Sequence, residues 1–198
     1  MKSLSVYCAS STSLEPAFHK AAYLVGSGLA ARGLSLVYGG GRIGLMGEVA
    51  ISAASGGATV TGVITHKLVE HEQANNDCDE LIVVDTMQER RTIMMERGDG
   101  YLVLPGGIGT YEEFFEVLVG RQLGDHIKPI GIVNINGYFD PLHNMLEHGI
   151  EHQFIRPALR GLVFMDPCPD TVLNHIIENK GEELSPSAIL PMHSGNDG

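Results

Sequence analysis

A glycine-rich turn between a strand-like run and a helix-like run is the strongest chemical feature of the sequence. The apolar run Tyr101 to Leu104 leads into Pro105-Gly106-Gly107-Ile108-Gly109-Thr110, and an amphipathic segment containing Phe114, Phe115, Val117 and Leu118 follows. The first N–H groups of a helix have no partner within the helix, and the helix dipole favours an anion beside them. The pattern therefore predicts a phosphate site at this helix start, to which the Thr110 hydroxyl can contribute.

Glu113 has two interpretations in the same segment. Thr110-Tyr111-Glu112-Glu113 matches the capping box, in which a glutamate bonds back to the residue that caps the helix. Thr86-Met87-Gln88-Glu89 matches the same box. The local pattern leaves a capping role and a catalytic role for Glu113 equally open, and the two are compatible only if one carboxylate oxygen remains available to a ligand.

Arg90 and Arg91 lie near the start of another predicted helix, beyond the fourth strand-like run. Because cations are unfavourable near a helix N-terminus, two adjacent arginines there indicate an anionic partner. The alternative is that both are solvated surface side chains.

Two further strand ends carry small residues. The local pattern of Ser10-Ser11-Thr12 favours a helix N-cap over a ligand contact. The segment from Gly39 to Gly44 reads G-x-G-x-x-G, but no Lys-Ser/Thr follows, so it is not a Walker A loop. It also follows the second strand, whereas dinucleotide-binding folds use the first. The glycines of this segment either allow the backbone to approach a ligand closely or simply form a tight turn, and the sequence favours neither alternative.

His148, Glu151 and His152 match the H-x-x-E-H zinc pattern. A glycine lies inside the motif, the predicted helix ends nearby, and no third ligand has suitable spacing. We therefore expect a polar helix face and no metal site.

Alternating strand-like and helix-like segments position these residues. They predict a single α/β domain over residues 1–180, with a doubly wound, mostly parallel, Rossmann-like sheet of about seven strands. The ligand crevice of such a sheet lies beyond the carboxyl ends of its strands. Residues 67–79 are predicted to form a loop that includes one helical turn, and residues 181–198 a flexible tail. The predicted strands are Leu4 to Ala9, Leu34 to Tyr38, Ala58 to Ile64, Leu81 to Asp85, Gly100 to Leu104, Pro129 to Asn134 and Gly161 to Met165. The predicted helices are Glu15 to Ala31, Leu45 to Ser55, Met87 to Arg97, Tyr111 to Leu123, Pro141 to His152 and Asp170 to Lys180.

Composition limits the partners. The 198 residues carry 13 Lys+Arg against 24 Asp+Glu, a formal charge of -11, which argues against a nucleic acid polymer or an anionic membrane. The three cysteines are far apart and show no C-x-x-C spacing, which fits a reducing compartment. The apolar run near Met1 is too short for a signal-peptide core. We expect a cytoplasmic protein.

Three segments together resemble the LONELY GUY (LOG) family, formerly mislabelled as lysine decarboxylase. They are Tyr38 to Gly47, Met87 to Arg91 and Pro105 to Glu113, and the resemblance extends from about Ser5 to Lys180. It implies hydrolysis of the N-glycosidic bond of N6-modified AMP (a cytokinin riboside 5'-monophosphate), and of AMP itself, to a free base and ribose 5-phosphate. It implies no metal or organic cofactor, and a homodimer.

The resemblance also implies roles for individual residues. Arg90 and Glu113 correspond to the family's catalytic arginine and glutamate. The residues that the resemblance places at the phosphate and ribose site are Gly106, Gly107, Ile108, Gly109, Thr110, Tyr111 and Glu112, and it places a substrate-binding glutamate at Glu72. Further candidate substrate-binding residues are Ser10, Gly40, Gly41, Met46 and Arg91.

The sequence departs from the family at Arg91, where lysine is usual, and this difference affects substrate preference because the two cations differ in geometry. A decarboxylase would need a lysine for a pyridoxal Schiff base. None of Lys2, Lys20, Lys67, Lys128 and Lys180 has a supporting motif at the predicted crevice. The alternative function is a nucleotide carrier or sensor that binds without hydrolysis.

Overall fold

The computed structural model describes residues 1–71, 73–179 and 181. Seven parallel strands form one sheet in the order β4-β3-β2-β1-β5-β6-β7. The strands are β1 (Ser3–Tyr7), β2 (Ser35–Tyr38), β3 (Val60–Thr65), β4 (Glu80–Val84), β5 (Tyr101–Val103), β6 (Ile130–Val133) and β7 (Val163–Asp166). The helices are α1 (Pro16–Ala31), α2 (Gly44–Ser55), α3 (His66–His71), α4 (Met87–Arg97), α5 (Ile108–Leu123), α6 (Asp140–Glu151) and α7 (Pro169–Glu178).

The doubly wound α/β prediction is confirmed, and so are all seven predicted strands. Two segments differ from the prediction. The region expected to be mostly loop contains the six-residue helix α3. Helix α5 begins at Ile108, three residues before the predicted start, because the glycine turn closes at Gly107 and the following residues are already helical. The predicted tail lies outside the described residues apart from Gly181.

Helices cover the two faces of the sheet because alternate residues of its central strands point to opposite faces. Leu4 and Val6 of β1 join one apolar cluster, which α1, α2 and α7 complete, whereas Tyr7 joins a second cluster with α4, α5 and α6. Within the described residues no helix is long and apolar enough to cross a membrane.

The order of the strands reverses direction between β1 and β5. The chain runs outward from β1 to β4, and then returns through α4 to β5 on the other side of β1. Beyond these strands the Ala9 N–H still donates to the Pro105 carbonyl, at 3.1 Å. Helices that follow β1 and β5 diverge to opposite faces, so this reversal opens a crevice at the carboxyl ends.

His126, shortly after the C-terminal end of α5, is held in a geometry that favours its neutral ring. The Nε2 atom of His126 lies 2.9 Å from the Val117 carbonyl, and Nδ1 accepts the Lys128 N–H at 3.2 Å. An acceptor nitrogen carries no proton, so this geometry requires the neutral ring. Burial lowers the pKa of His126, and the charges of Lys128 and Arg121 lower it further, although the Val117 hydrogen bond opposes them.

We expect the free energy of unfolding to fall between about pH 7 and pH 5, partly through His126. Its folded pKa lies below the unfolded value of about 6.5, so its contribution is complete above that value and is lost as the pH falls through the folded pKa. Urea unfolding of His126→Gln at the two pH values should show a smaller pH dependence than wild type. The exposed His152→Gln is the control, and equal pH dependence in wild type and His126→Gln would contradict the assignment.

Candidate active site

A cavity of about 170 Å³ opens at the carboxyl ends of β1 and β5, where the strand order reverses. Its walls come from the ends of β1 and β2 and from α2, α4 and α5. The lining residues are Val6, Cys8, Ala9, Ser10, Gly39, Met46, Arg90, Met94, Gly107, Gly109, Thr110 and Glu113.

The N-terminus of α5 forms one wall of the cavity. Gly107 caps the helix without a side-chain hydrogen bond, and Thr110 is buried against the cavity in the first turn. A Cβ at Gly107 or Gly109 would have no atom within 4 Å, so the backbone of the turn borders open space. The first N–H groups of α5 have no partner within the helix. This geometry suits an anion such as phosphate.

Glu113 faces the same cavity from one turn further along α5, and the residue is only 8% exposed. The capping-box interpretation of Glu113 is wrong, because the cap is Gly107 and Glu113 lies six residues beyond it. The other predicted box is confirmed. The Glu89 N–H donates to the Thr86 hydroxyl, and the Thr86 N–H donates to the Glu89 carboxylate, both at 3.1 Å.

Arg90 is fixed at the opposite wall by backbone carbonyls. Its side chain is buried, with Nε donating to Val63 O and Nη2 to Gly39 O, each at 3.0 Å. A Cβ at Gly39 would collide with the Arg90 guanidinium and the Met46 sulfur. The structure therefore brings Arg90 and Glu113, 23 positions apart in sequence, to one cavity.

A neutral phenol lies near Glu113. Tyr7 is buried in β1, and its ring stacks on Tyr101 with 6.1 Å between centroids. Burial raises the pKa of Tyr7 well above its ordinary value, and the charge of Glu113 adds to the effect. Tyr7 therefore stays protonated around neutral pH and does not compete with Glu113 as an anionic group.

Arg91 contacts α5 and does not line the cavity. Its Nη1 lies 3.0 Å from a Glu112 oxygen, and its Nε donates to Glu116 at 2.8 Å. These bonds hold α4 against α5 beside the site. The predicted contacts of Arg91 and Glu112 with substrate stay predictions, as does that of Ile108, whose side chain is 84% exposed at the start of α5.

Two glycines of the second-strand motif shape the loop behind the cavity wall. The Gly40 carbonyl accepts the Asn75 N–H at 2.9 Å, and Gly41 forms a β-bridge with Ala74. Gly40 has φ of +74° and Gly44 has φ of +61°, conformations that glycine adopts readily and that a turn here requires. Gly39 of the same motif lines the cavity, so the approach of this backbone to a ligand also stays a prediction. Neither Gly40 nor Gly41 is among the described residues that line the cavity, and their contact with substrate stays a prediction.

The serine-rich segment after β1 has a different role from the one its pattern favours. Helix α1 begins at Pro16 after Glu15, so Ser10-Ser11-Thr12 does not cap it and that interpretation is wrong. Ser10 lines the cavity instead. Glu72 lies outside the described residues.

Some residues of the site were missed by the sequence reasoning. Met94 lies four residues after Arg90 on α4, and this helical spacing could have identified it as a neighbour in the cavity. Tyr138, whose hydroxyl donates to the Gly106 carbonyl at 2.6 Å, had no local signal, since it comes from a loop 32 positions away. The Gly106 carbonyl thus points to Tyr138, while the Tyr111 ring packs edge-on to Phe139.

The cavity does not support the two other chemistries considered. Of the lysines in the described part of the chain, none lines it, so it offers no Schiff-base lysine there. His148 and His152 pack edge-on with 4.3 Å between ring centroids, but the described residues contain no group of three or more His, Cys, Asp or Glu that could hold a metal.

Comparison with known proteins gives consistent matches over most of the chain. A family model described as possible lysine decarboxylase matches residues 46–176. The cytokinin riboside 5'-monophosphate phosphoribohydrolase of Mycobacterium tuberculosis is 42% identical over 170 residues, covering 85% of this chain and 90% of that protein. An Arabidopsis thaliana protein of the same name is 35% identical over 181 residues, covering 91% of this chain and 83% of the relative.

Solved structures with the same fold are more distant in sequence. The molybdenum cofactor binding protein of Rippkaea orientalis superposes with a TM-score of 0.68 at 19% identity, covering 89% of this chain and 95% of that one. The molybdenum cofactor carrier protein of Chlamydomonas reinhardtii gives 0.68 at 18%, covering 90% of this chain and 99% of the other. At this identity the likeness establishes the Rossmann-like fold alone.

Gly39→Ala should disturb the site through Arg90. The added methyl group overlaps the guanidinium, so we expect the free energy of unfolding to fall by about 1–3 kcal/mol and AMP binding to weaken. Urea unfolding and calorimetric titration with AMP measure the two effects. Gly161→Ala is the matched control, because a Cβ there meets nothing within 4 Å. Equal behaviour of the two variants would contradict the crowding argument.

Proposed function

This chain belongs to the LONELY GUY family, whose relatives carry the name cytokinin riboside 5'-monophosphate phosphoribohydrolase, and we propose that it hydrolyses the N-glycosidic bond of N6-modified AMP and of AMP itself. The products are the free base and ribose 5-phosphate. In this reaction the bond from the anomeric carbon to the base breaks, and water supplies the oxygen that replaces the base.

One observation carries the proposal: the helix start of α5, the Arg90 guanidinium and the Glu113 carboxylate face one cavity. A nucleoside monophosphate presents an anion and a glycosidic bond a few ångströms apart. The α5 N-terminus is suited to the anion, and the two buried side chains are suited to the bond. A net charge of -11 does not oppose this, because hydrogen bonding and local charge dominate within a buried site.

Glu113 acts on the sugar. Cleavage of a glycosidic bond develops positive charge on the sugar ring, and a nearby carboxylate stabilises that charge or activates the attacking water. A buried carboxylate such as that of Glu113 interacts with this charge more strongly than one at the surface. The single turn of helix between Thr110 and Glu113 spans the gap between the phosphate position and the anomeric carbon.

Arg90 holds the substrate and offsets negative charge on the departing base or the phosphate. Its position is set before substrate arrives, since Val63 and Gly39 fix the guanidinium from behind. Such preorganised charge needs no rearrangement during the reaction. Gly107, Gly109 and Thr110 contact the phosphate in this arrangement.

The assignment predicts that Glu113→Gln lowers kcat for AMP and N6-isopentenyl-AMP by about a hundredfold or more, because glutamine keeps the shape but removes the charge and the base. Arg90→Lys should lower kcat/KM as well, since a single ammonium cannot reproduce both carbonyl contacts. Release of free base, followed by chromatography, measures both effects.

Matched controls lie on the exposed part of α4. Glu96→Gln and Arg97→Ala change the same residue types on the surface, and both should retain wild-type turnover with unchanged circular dichroism. Unchanged turnover in Glu113→Gln and Arg90→Lys would sink the catalytic assignment. Wild-type protein that binds AMP but releases no base would favour the carrier or sensor alternative. The similarity to carrier structures at 18–19% identity does not by itself support that alternative.

A homodimer fits the apolar surface of α5. Val119 and Leu123 are 50% and 58% exposed, and Phe115, one turn before Val119, is only partly buried. These positions recur every four residues and form one stripe, which leads towards the exposed Ile108 at the start of α5. Exposed apolar stripes of this kind are typical of interfaces. A second copy of the chain packed on the stripe would border the active site.

Val119→Glu should therefore convert a dimer into a monomer, because it places a charge in the apolar interface. Sedimentation velocity or light scattering gives the mass. Ile51→Glu, at an exposed apolar residue of α2, is the control and should remain dimeric. A monomeric wild type, or a dimeric Val119→Glu, would refute this interface.

A cytoplasmic location is supported by the cysteines. Cys8, Cys78 and Cys168 are all described, and none of them forms a disulfide bond. Free thiols persist in reducing compartments.

A further inference from the structure

A hydrogen bond joins the phosphate turn to the next loop of the sheet. The Tyr138 hydroxyl donates to the Gly106 carbonyl at 2.6 Å. Gly106 follows β5, whereas Tyr138 follows β6 and a short 3-10 turn, Ile135–Gly137. The bond therefore fixes a carbonyl of the turn from outside the helix that the turn begins.

The orientation of that carbonyl determines where the next N–H points. In a trans peptide the C=O of Gly106 and the N–H of Gly107 point in opposite directions. Because the carbonyl points to Tyr138 and Gly107 lines the cavity, the Gly107 N–H points away from Tyr138, on the side where the phosphate is expected. A Gly-Gly peptide has little steric preference of its own, so it needs such an external constraint.

The loop that carries Tyr138 is itself firmly held. Asn136 and Gly137 both have positive φ, 53° and 71°, which turns the chain sharply before Tyr138. The Asn134 side chain accepts the Phe139 N–H at 2.7 Å. The Tyr138 ring packs edge-on to Phe139, with 5.0 Å between centroids. Residues other than glycine rarely adopt a positive φ, although asparagine tolerates it. The contacts around the loop therefore stabilise this conformation of Asn136.

We propose that Tyr138 is a positioning residue for substrate phosphate: its hydrogen bond to Gly106 keeps the Gly107 N–H directed at the phosphate. This inference rests on the proposed function, since it concerns the phosphate of the same substrate. It assigns Tyr138 no contact with the reacting atoms. Its effect is on affinity for the phosphate group and not on the rate of bond cleavage.

Tyr111 lies on the first turn of α5, close to Tyr138. Burial raises the pKa of Tyr111 to about 12, and its interaction with the Tyr138 phenol adds to the shift. The Tyr111 phenol therefore stays neutral around pH 7 and places no charge beside the bond between Tyr138 and Gly106.

The test is Tyr138→Phe, which keeps the ring and its packing and removes only the hydroxyl. Calorimetry gives the Kd for AMP and for adenosine, which lacks the phosphate, and turnover gives KM and kcat for AMP. We expect Kd and KM for AMP to rise roughly three- to tenfold, with adenosine affinity and kcat changed less than about twofold. Tyr23→Phe, at an exposed tyrosine of α1, is the control and should match wild type.

Amide NMR provides a direct readout of the turn. Titration of wild type with inorganic phosphate should shift the Gly107 amide resonance, and the shift at the same phosphate concentration should be smaller in Tyr138→Phe. A purely structural role would instead lower the melting temperature and affect AMP and adenosine alike, which overturns the proposal. Unchanged AMP and phosphate affinity in Tyr138→Phe also overturns it.

The outcomes separate this inference from the proposed reaction. If wild type binds AMP without releasing base, the hydrolytic function fails while the comparison of Kd values still decides the role of Tyr138. If wild type hydrolyses AMP and Tyr138→Phe binds it equally well, only the role of Tyr138 fails. Wild type that does not bind AMP or phosphate overturns both.

Discussion

The two hydrogen bonds that the buried Arg90 guanidinium donates to backbone carbonyls constrain the rest of the site. A charge removed from water is tolerated only where hydrogen bonds replace its hydration, and Arg90 obtains them from the carbonyls of Val63 and Gly39. Position 39 must therefore lack a side chain. Helix α4 must also begin at a fixed place, which the Thr86–Glu89 capping box ensures immediately before the arginine.

The charges of the cavity suit the proposed reaction, in which an anion and a developing cation lie close together. The start of α5 and Arg90 present positive potential, whereas Glu113 presents a carboxylate from the same helix. The pKa of the nearby phenol of Tyr7 is raised by burial and by Glu113, so that ring remains neutral. An acidic protein can therefore hold a phosphate, because its other carboxylates do not enter this cavity within the described residues.

Most of the fold could be predicted because its physical signals are local. Apolar runs of strand length identify the buried strands, and intervening amphipathic segments identify the helices. The start of α5 was less predictable. Thr110-Tyr111-Glu112-Glu113 matches the sequence pattern of a capping box, but the helix already begins at Ile108, with Gly107 as its cap. A capping box requires its threonine at the cap position, and Thr110 lies inside the helix. The same letters at Thr86 do form a cap, since that helix starts where the pattern does.

The sequence by itself determined the succession of strands and helices along the chain and the glycine turn at a helix start. It also identified, through the family resemblance, the two residues proposed for catalysis. Only the tertiary structure decided which neighbours act with them. Arg91, next to Arg90 in sequence, turns to Glu112 and Glu116. Met94 comes from the next turn of α4, while Ser10 and Tyr138 come from distant elements. The physical reason is that side-chain direction around a helix and the reversal of strand order at β1 bring residues together irrespective of their separation in sequence.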